Sequence, residues 1–140
     1  LRSMESLTHM AFVKKIADYV SSIPEDFTAN LLCVELPGGY NRCPQIIGRS
    51  IPDVFYNDSN YIILGEAKTD GDIDQEHTQR QINDYIDEVR TYNADRIIVL
   101  CTSIIGFSRM KNIIVAKKKK EDLNDIKFHI IDCYNKLQIL

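Results

Sequence analysis

Three side chains define the chemistry open to this 140-residue chain: Asp53, which follows Pro52, and, after twelve intervening residues, the pair Glu66 and Lys68 in Glu66-Ala67-Lys68. In an extended strand successive side chains alternate faces, so Glu66 and Lys68 project from one side. Ile62 and Leu64 share that side, so an apolar row turns into a carboxylate and an ammonium at the strand's end. If this strand forms a hairpin with the one before it, Asp53 lies beside Glu66. Two carboxylates that close repel until a divalent cation relieves them. Magnesium suits an all-oxygen site of Asp53, Glu66, the main-chain carbonyl of Ala67 and waters, with Mn2+ as a substitute. Water activated there attacks phosphorus, while Lys68 orients or helps to deprotonate it and offsets charge on the phosphate. Read singly, Asp53 is a carboxylate at a strand edge and Glu66 with Lys68 a surface ion pair of small energetic weight. Together they supply the parts for metal-assisted phosphodiester hydrolysis.

The elements that must position these groups follow from hydrophobic spacing. Residues Met4 to Ser22 place Leu7, Met10, Ala11, Val13, Ile16, Ala17 and Val20 at helical intervals, and Pro24 ends that helix. A strand is expected from Asn30 to Leu36, closed by Pro37-Gly38-Gly39, and a second from Ile46 to Tyr56, with Pro52 marking an edge or bulge. Asn57 to Asn60 is a hairpin turn, and Tyr61 to Lys68 returns antiparallel. A helix from Gln75 to Tyr92 turns Ile82, Tyr85, Ile86 and Val89 inward, with Asp72 or Asp74 as its cap. Arg96 to Thr102 reads as a central strand, Ser108 to Lys119 as a helix with Met110, Ile113 and Ile114 inward, and Ile126 to Ile131 as a last strand. Helix, three strands, helix, strand, helix, strand implies an α/β fold: a mixed central sheet with helices on both faces.

Pro52-Asp53 followed by Glu66-Ala67-Lys68, on a hairpin flanked by helices, resembles the PD-(D/E)XK nuclease superfamily. The resemblance covers most of the chain and implies the restriction-endonuclease-like αβββαβ core, with Asp53 and Glu66 as metal ligands and Lys68 as the catalytic lysine. Gln81-Ile82-Asn83-Asp84-Tyr85 also fits the Q-x-x-x-Y motif of the RecB-like branch, which would turn Gln81 toward the site. The stretch from Gly65 to Gln81 looks equally like the VRR-NUC branch, where Gln79 or Gln81 fills that role. Tyr85 serves packing beside Ile82 and Ile86 as readily as it serves chemistry. Those branches often add a carboxylate from the first helix or strand, where this chain offers only Glu5, Asp18 and Glu35. The implied protein is a Mg2+-dependent deoxyribonuclease, endo- or exonucleolytic, acting in repair or restriction, with RNA as the second-ranked substrate after DNA. A catalytically inactive nuclease-like module for nucleic-acid binding or assembly is the alternative.

Bulk properties fit one domain spanning residues 1–140. The chain is 44% hydrophobic and 26% charged, enough apolar content for a core and too much for disorder. No apolar run approaches the roughly 20 residues that cross a bilayer. A net charge of -3 excludes a strongly basic nucleic-acid coat but permits a nuclease, because a metal and a local cationic patch can meet the phosphates. Cys33, Cys43, Cys101 and Cys133 lack metal-site spacing and read as reduced core thiols of a cytoplasmic protein. Leu1-Arg2-Ser3 ahead of Met4 reads as an expression remnant without a targeting signature. His9 and His129 read as structural, and His77 as solvated near a helix start. Lys117, Lys118 and their lysine neighbours end a helix favourably against its dipole and are candidate backbone contacts, as are Arg42, Arg49, Arg80 and Lys111. So small a unit offers a duplex limited surface, so a homodimer or a place in a larger DNA-processing assembly is expected.

Overall fold

The computed structural model describes residues 6–140. Its elements are α1 (Leu7–Ser21), β1 (Leu32–Val34), β2 (Val54–Asn57), β3 (Tyr61–Ala67), α2 (Glu76–Val89), β4 (Asp95–Thr102), α3 (Ile104–Lys120), β5 (Lys127–Asp132) and β6 (Leu137–Ile139). They form an α/β fold with one six-stranded mixed sheet in the order β1-β2-β3-β4-β5-β6. The β3–β4 and β4–β5 pairs are parallel and the others antiparallel.

Parallel neighbours need crossovers, and two right-handed crossovers stepping the same way leave their helices on one face. Accordingly α2 and α3 pack together on Ile62, Leu64, Ile98, Leu100, Phe128 and Ile130. The alternate residues Ile63, Ala67, Ile97, Val99 and Cys101 face α1. β4 is covered on both sides from Ile97 to Thr102, as its unbroken apolar run requires.

Helix α1 buries Phe12, Val13, Ile16, Ala17 and Val20, whereas Leu7 is exposed and Met10 only half-buried. It lies tight on β3: a Cβ at Gly65 would stand 2.5 Å from the Ile16 side chain, so only glycine permits this approach. The first turn of α1, capped by Ser6 accepting from the His9 amide, is thereby held at the C-terminal end of β3.

Several expected boundaries move. β2 starts at Val54, because Pro52 has no N–H to give a ladder and residues 46–51 instead fold through a helical turn with Gly48 and Arg49 at positive φ. Asp53 is the first paired residue, its amide donating to the Gly65 carbonyl at 3.0 Å and its carbonyl accepting from Glu35 at 2.9 Å. β2 is therefore interior to the sheet, not an edge. α3 begins at Ile104 under a Ser103 cap rather than at Ser108. α2 has Gln75 at its cap position without a side-chain bond, since Asp74 is engaged by Arg109 and Asp72 by Thr69. β6 was not anticipated. The four cysteines are free thiols, and burial pushes Cys101 up to about 12. Among the described residues no helix is long and apolar enough to cross a membrane.

One buried histidine gives the fold a pH signature. The His129 ring meets the Tyr19 hydroxyl at Nδ1, 2.6 Å away, while Nε2 is buried without a partner. The imidazolium would carry two N–H donors for that single partner, and burial lowers the pKa from 6.5 to about 4. A depressed folded-state pKa gives stability that is complete above 6.5 and lost as pH falls toward 4. The urea midpoint is expected to fall across that window, by the equivalent of at most about 3 kcal/mol, and less steeply in His129→Phe. Equal slopes in the two proteins would exclude His129 as the cause.

Candidate active site and metal centre

The hairpin brings Asp53 opposite Glu66, one step beyond the Val54–Gly65 pair, so both carboxylates occupy the C-terminal end of β3. Asp53 is 9% exposed, and Glu66 and Lys68 are each 5% exposed, which makes this a charged cluster inside the protein, not a surface pair. Asp53 Oδ2 accepts from the Ala67 amide at 2.9 Å, a bond that fixes the carboxylate across the strand. Lys68 is anchored by its own amide, which donates to the Cys101 carbonyl at 2.9 Å. Its Nζ stands 3.6 Å from Glu66 Oε2 and donates to Gln81 Oε1 at 2.5 Å. From one turn further along α2, the Tyr85 hydroxyl donates to Glu66 Oε1. Residues four apart on one helix face thus grip the two charged side chains at the C-terminal end of β3.

A further candidate ligand comes from α1. His9 Nε2 lies 3.4 Å from Asp53 Oδ2, and His9, Asp53 and Glu66 each offer one donor atom within 4.8 Å of the others. His9 continues the stripe of Val13, Ile16 and Val20 one turn toward the sheet end. The only sequence signal for it is a polar residue in an apolar stripe. The carboxylates suggested for this position are elsewhere: Asp18 is exposed and paired with Lys14, and Glu35 accepts from the Cys43 amide, while Glu5 lies outside the described residues.

Burial comes first, and the Asp53 charge second, in pushing the Glu66 carboxyl well above the usual range; Lys68 and Tyr85 pull the other way and are outweighed. The Tyr85 hydroxyl is raised too, by burial and by Glu66, and stays protonated as a donor. With both carboxyls ionised, such a site would have an excess of negative charge that a cation could neutralise.

Other expected contacts separate from this centre. Gln79 faces away from it, into a groove with Asn83, Lys117 and Lys120 between α2 and α3, which leaves Gln81 as the glutamine that meets Lys68. Lys117 is neutralised by Glu121 at 2.6 Å, and Lys118 belongs to the last turn of α3, at the helix end opposite the Ser103 cap. No family model, curated protein or solved structure matches this chain.

Proposed function

We propose that the chain is a metal-dependent nuclease of the PD-(D/E)XK type, hydrolysing phosphodiester bonds of DNA, with RNA as the alternative substrate. The observation that carries this reading is the convergence of Asp53, Glu66 and His9 on one point, with Lys68 buried beside them and held by Gln81. Structural ion pairs rarely combine two buried carboxylates, an imidazole and a lysine at the end of one strand.

In this reading Asp53, Glu66 and His9 hold the cation, and the neighbouring Ala67 carbonyl is available to it. A divalent ion there supplies Lewis-acid activation of water and offsets phosphate charge. Gln81 fixes the Lys68 ammonium where it orients the attacking water and donates to a phosphate oxygen as charge develops. Tyr85 fixes the orientation of Glu66 and leaves its second oxygen for the metal. The order of elements, with α1 before three antiparallel strands and α2 crossing to a parallel strand, supports the restriction-endonuclease-like core. A homodimer or a larger DNA-processing assembly remains part of the proposal, to be read from sedimentation of the protein on DNA.

An imidazole among the ligands makes the site softer than the all-oxygen one, so Mn2+ binds more tightly than Mg2+ while Mg2+ supports the reaction. His9→Ala is expected to weaken Mn2+ binding by about tenfold or more in calorimetric titration, with a smaller loss for Mg2+. Equal, small losses for both ions would remove His9 from the ligand set. Plasmid and single-stranded DNA should be cut with Mg2+ or Mn2+ and left intact with EDTA. Tight DNA binding without cutting under any metal would favour the inactive module instead.

A further inference from the structure

Between the segment leading into Asp53 and the face of α2 that carries Gln81 runs an open groove of about 550 Å³. Its lining includes Arg49 and Ser50 on one wall and His77, Arg80 and Gln81 on the other. Two hydrogen bonds to α2 side chains join the walls: Ser50 Oγ donates to Asp84 Oδ2 at 2.5 Å, and the Ile47 amide donates to Glu88 Oε1 at 3.1 Å. A Cβ at Gly48 would stand 2.3 Å from the Asp84 carboxyl group, so the loop presses against α2 as closely as glycine allows. In the same loop Arg49 has φ 69, a left-handed conformation uncommon for a side-chain-bearing residue, and it lines the same groove as Arg80.

We propose that Arg49 and Arg80, with His77 as a third donor, clamp the phosphate backbone of the nucleic acid next to the scissile bond. The inference rests on the nuclease reading for the identity of the polyanion and adds where that polyanion lies. Three observations select this groove. It opens on Gln81, whose Oε1 holds Lys68, so a strand seated in it continues into the catalytic cluster. Arg49 and Arg80 are exposed and form no ion pair within 4.0 Å among the described residues, unlike Arg42, Arg90, Arg96 and Arg109, each of which faces a carboxylate. Two competing grooves are unsuited: the one holding Lys117 also holds its partner Glu121, and the one lined by Glu25, Asp26, Asp58 and Asp95 at the opposite end of the sheet repels phosphate. Asp84, the carboxylate in the clamp itself, is tied to Ser50. Two guanidinium forks read phosphate bidentately, which positions a backbone without reading its sequence.

The test measures binding of a fluorescent single strand and its duplex in the Lys68→Ala background with Mg2+, across a salt series. Arg49→Gln combined with Arg80→Gln is expected to weaken binding about tenfold and to lower the salt slope by about two. Lys127→Gln, at the far end of the sheet, is expected to change the affinity less than twofold. With Lys68 intact, the double variant should raise KM about tenfold and lower kcat less than threefold. Arg80→Gln alone, on a regular helix, and its partial rescue by Arg80→Lys carry the test should Arg49→Gln disturb the loop. Affinity and slope equal to those of the parent, or no nucleic-acid binding by the parent, would overturn the clamp. Loss of binding in the double variant, together with no cleavage by the wild-type protein under any metal, would keep the clamp and overturn the nuclease reading.

Discussion

Lys68→Ala is expected to slow metal-dependent DNA cleavage by about a thousandfold while DNA and Mn2+ binding persist. The size follows from placement. An exposed lysine would be one cation among many, but Lys68 is 5% exposed, anchored through its amide to β4 and fixed at Nζ by Gln81. A charge held in a dry site without reorganisation stabilises a developing phosphate charge far more than one in water. Its removal also leaves Glu66 without its ammonium, so the metal-free variant should melt lower. Lys68→Met, which keeps the stem, separates lost packing from lost charge. Gln81→Ala, acting only through Lys68, should reduce kcat by about tenfold, with KM little changed. Cleavage by Lys68→Ala within about threefold of wild type would remove Lys68 from the chemistry.

Glu66→Gln should reverse the ranking of stability between metal-free and metal-loaded protein. With EDTA the variant is expected to be more stable than wild type by about 1–3 kcal/mol, because burial and the Asp53 charge oppose ionisation of Glu66 and the neutral amide removes that cost. The glutamine oxygen still accepts from Tyr85, so the packing partner is retained. With Mn2+ at about a hundred times its dissociation constant, wild type should gain about 2.7 kcal/mol and the variant almost nothing. The two melting curves therefore exchange order on adding metal. A variant that is less stable than wild type in EDTA, or that is stabilised by Mn2+ as much as wild type, would show that Glu66 is held for structure.

What could be read from the chain and what could not divide along distance in sequence. The face shared by Ile62, Leu64, Glu66 and Lys68 is local, because strand alternation alone sets it. The inner face of α2 was equally legible: Ile82, Tyr85, Ile86 and Val89 are all buried. The Asp53–Glu66 approach needed only a short hairpin, whose turn Asp58 closes by accepting from the Asn60 and Tyr61 amides. The placement of His9 beside Asp53 was not legible because its neighbours come from the distant hairpin, and the packing of Ile16 on Gly65 brings α1 there. The start of α3 was placed late, at Ser108, although Ser103 was a cap in plain view. The short β6 pairs only with β5, and its three residues carry no alternation long enough to register. The Arg49–Arg80 groove depends on positive φ at Gly48 and Arg49, which joins segments that no periodicity connects.

Diffraction from crystals soaked in Mn2+, measured at an energy where manganese scatters anomalously, tests the central claim most directly. The account predicts an anomalous peak about 2.0–2.3 Å from one oxygen each of Asp53 and Glu66 and from His9 Nε2, with the Lys68 ammonium beside it and outside the coordination sphere. An empty cluster at a Mn2+ concentration that supports cleavage, or a peak bound by other residues, would contradict it.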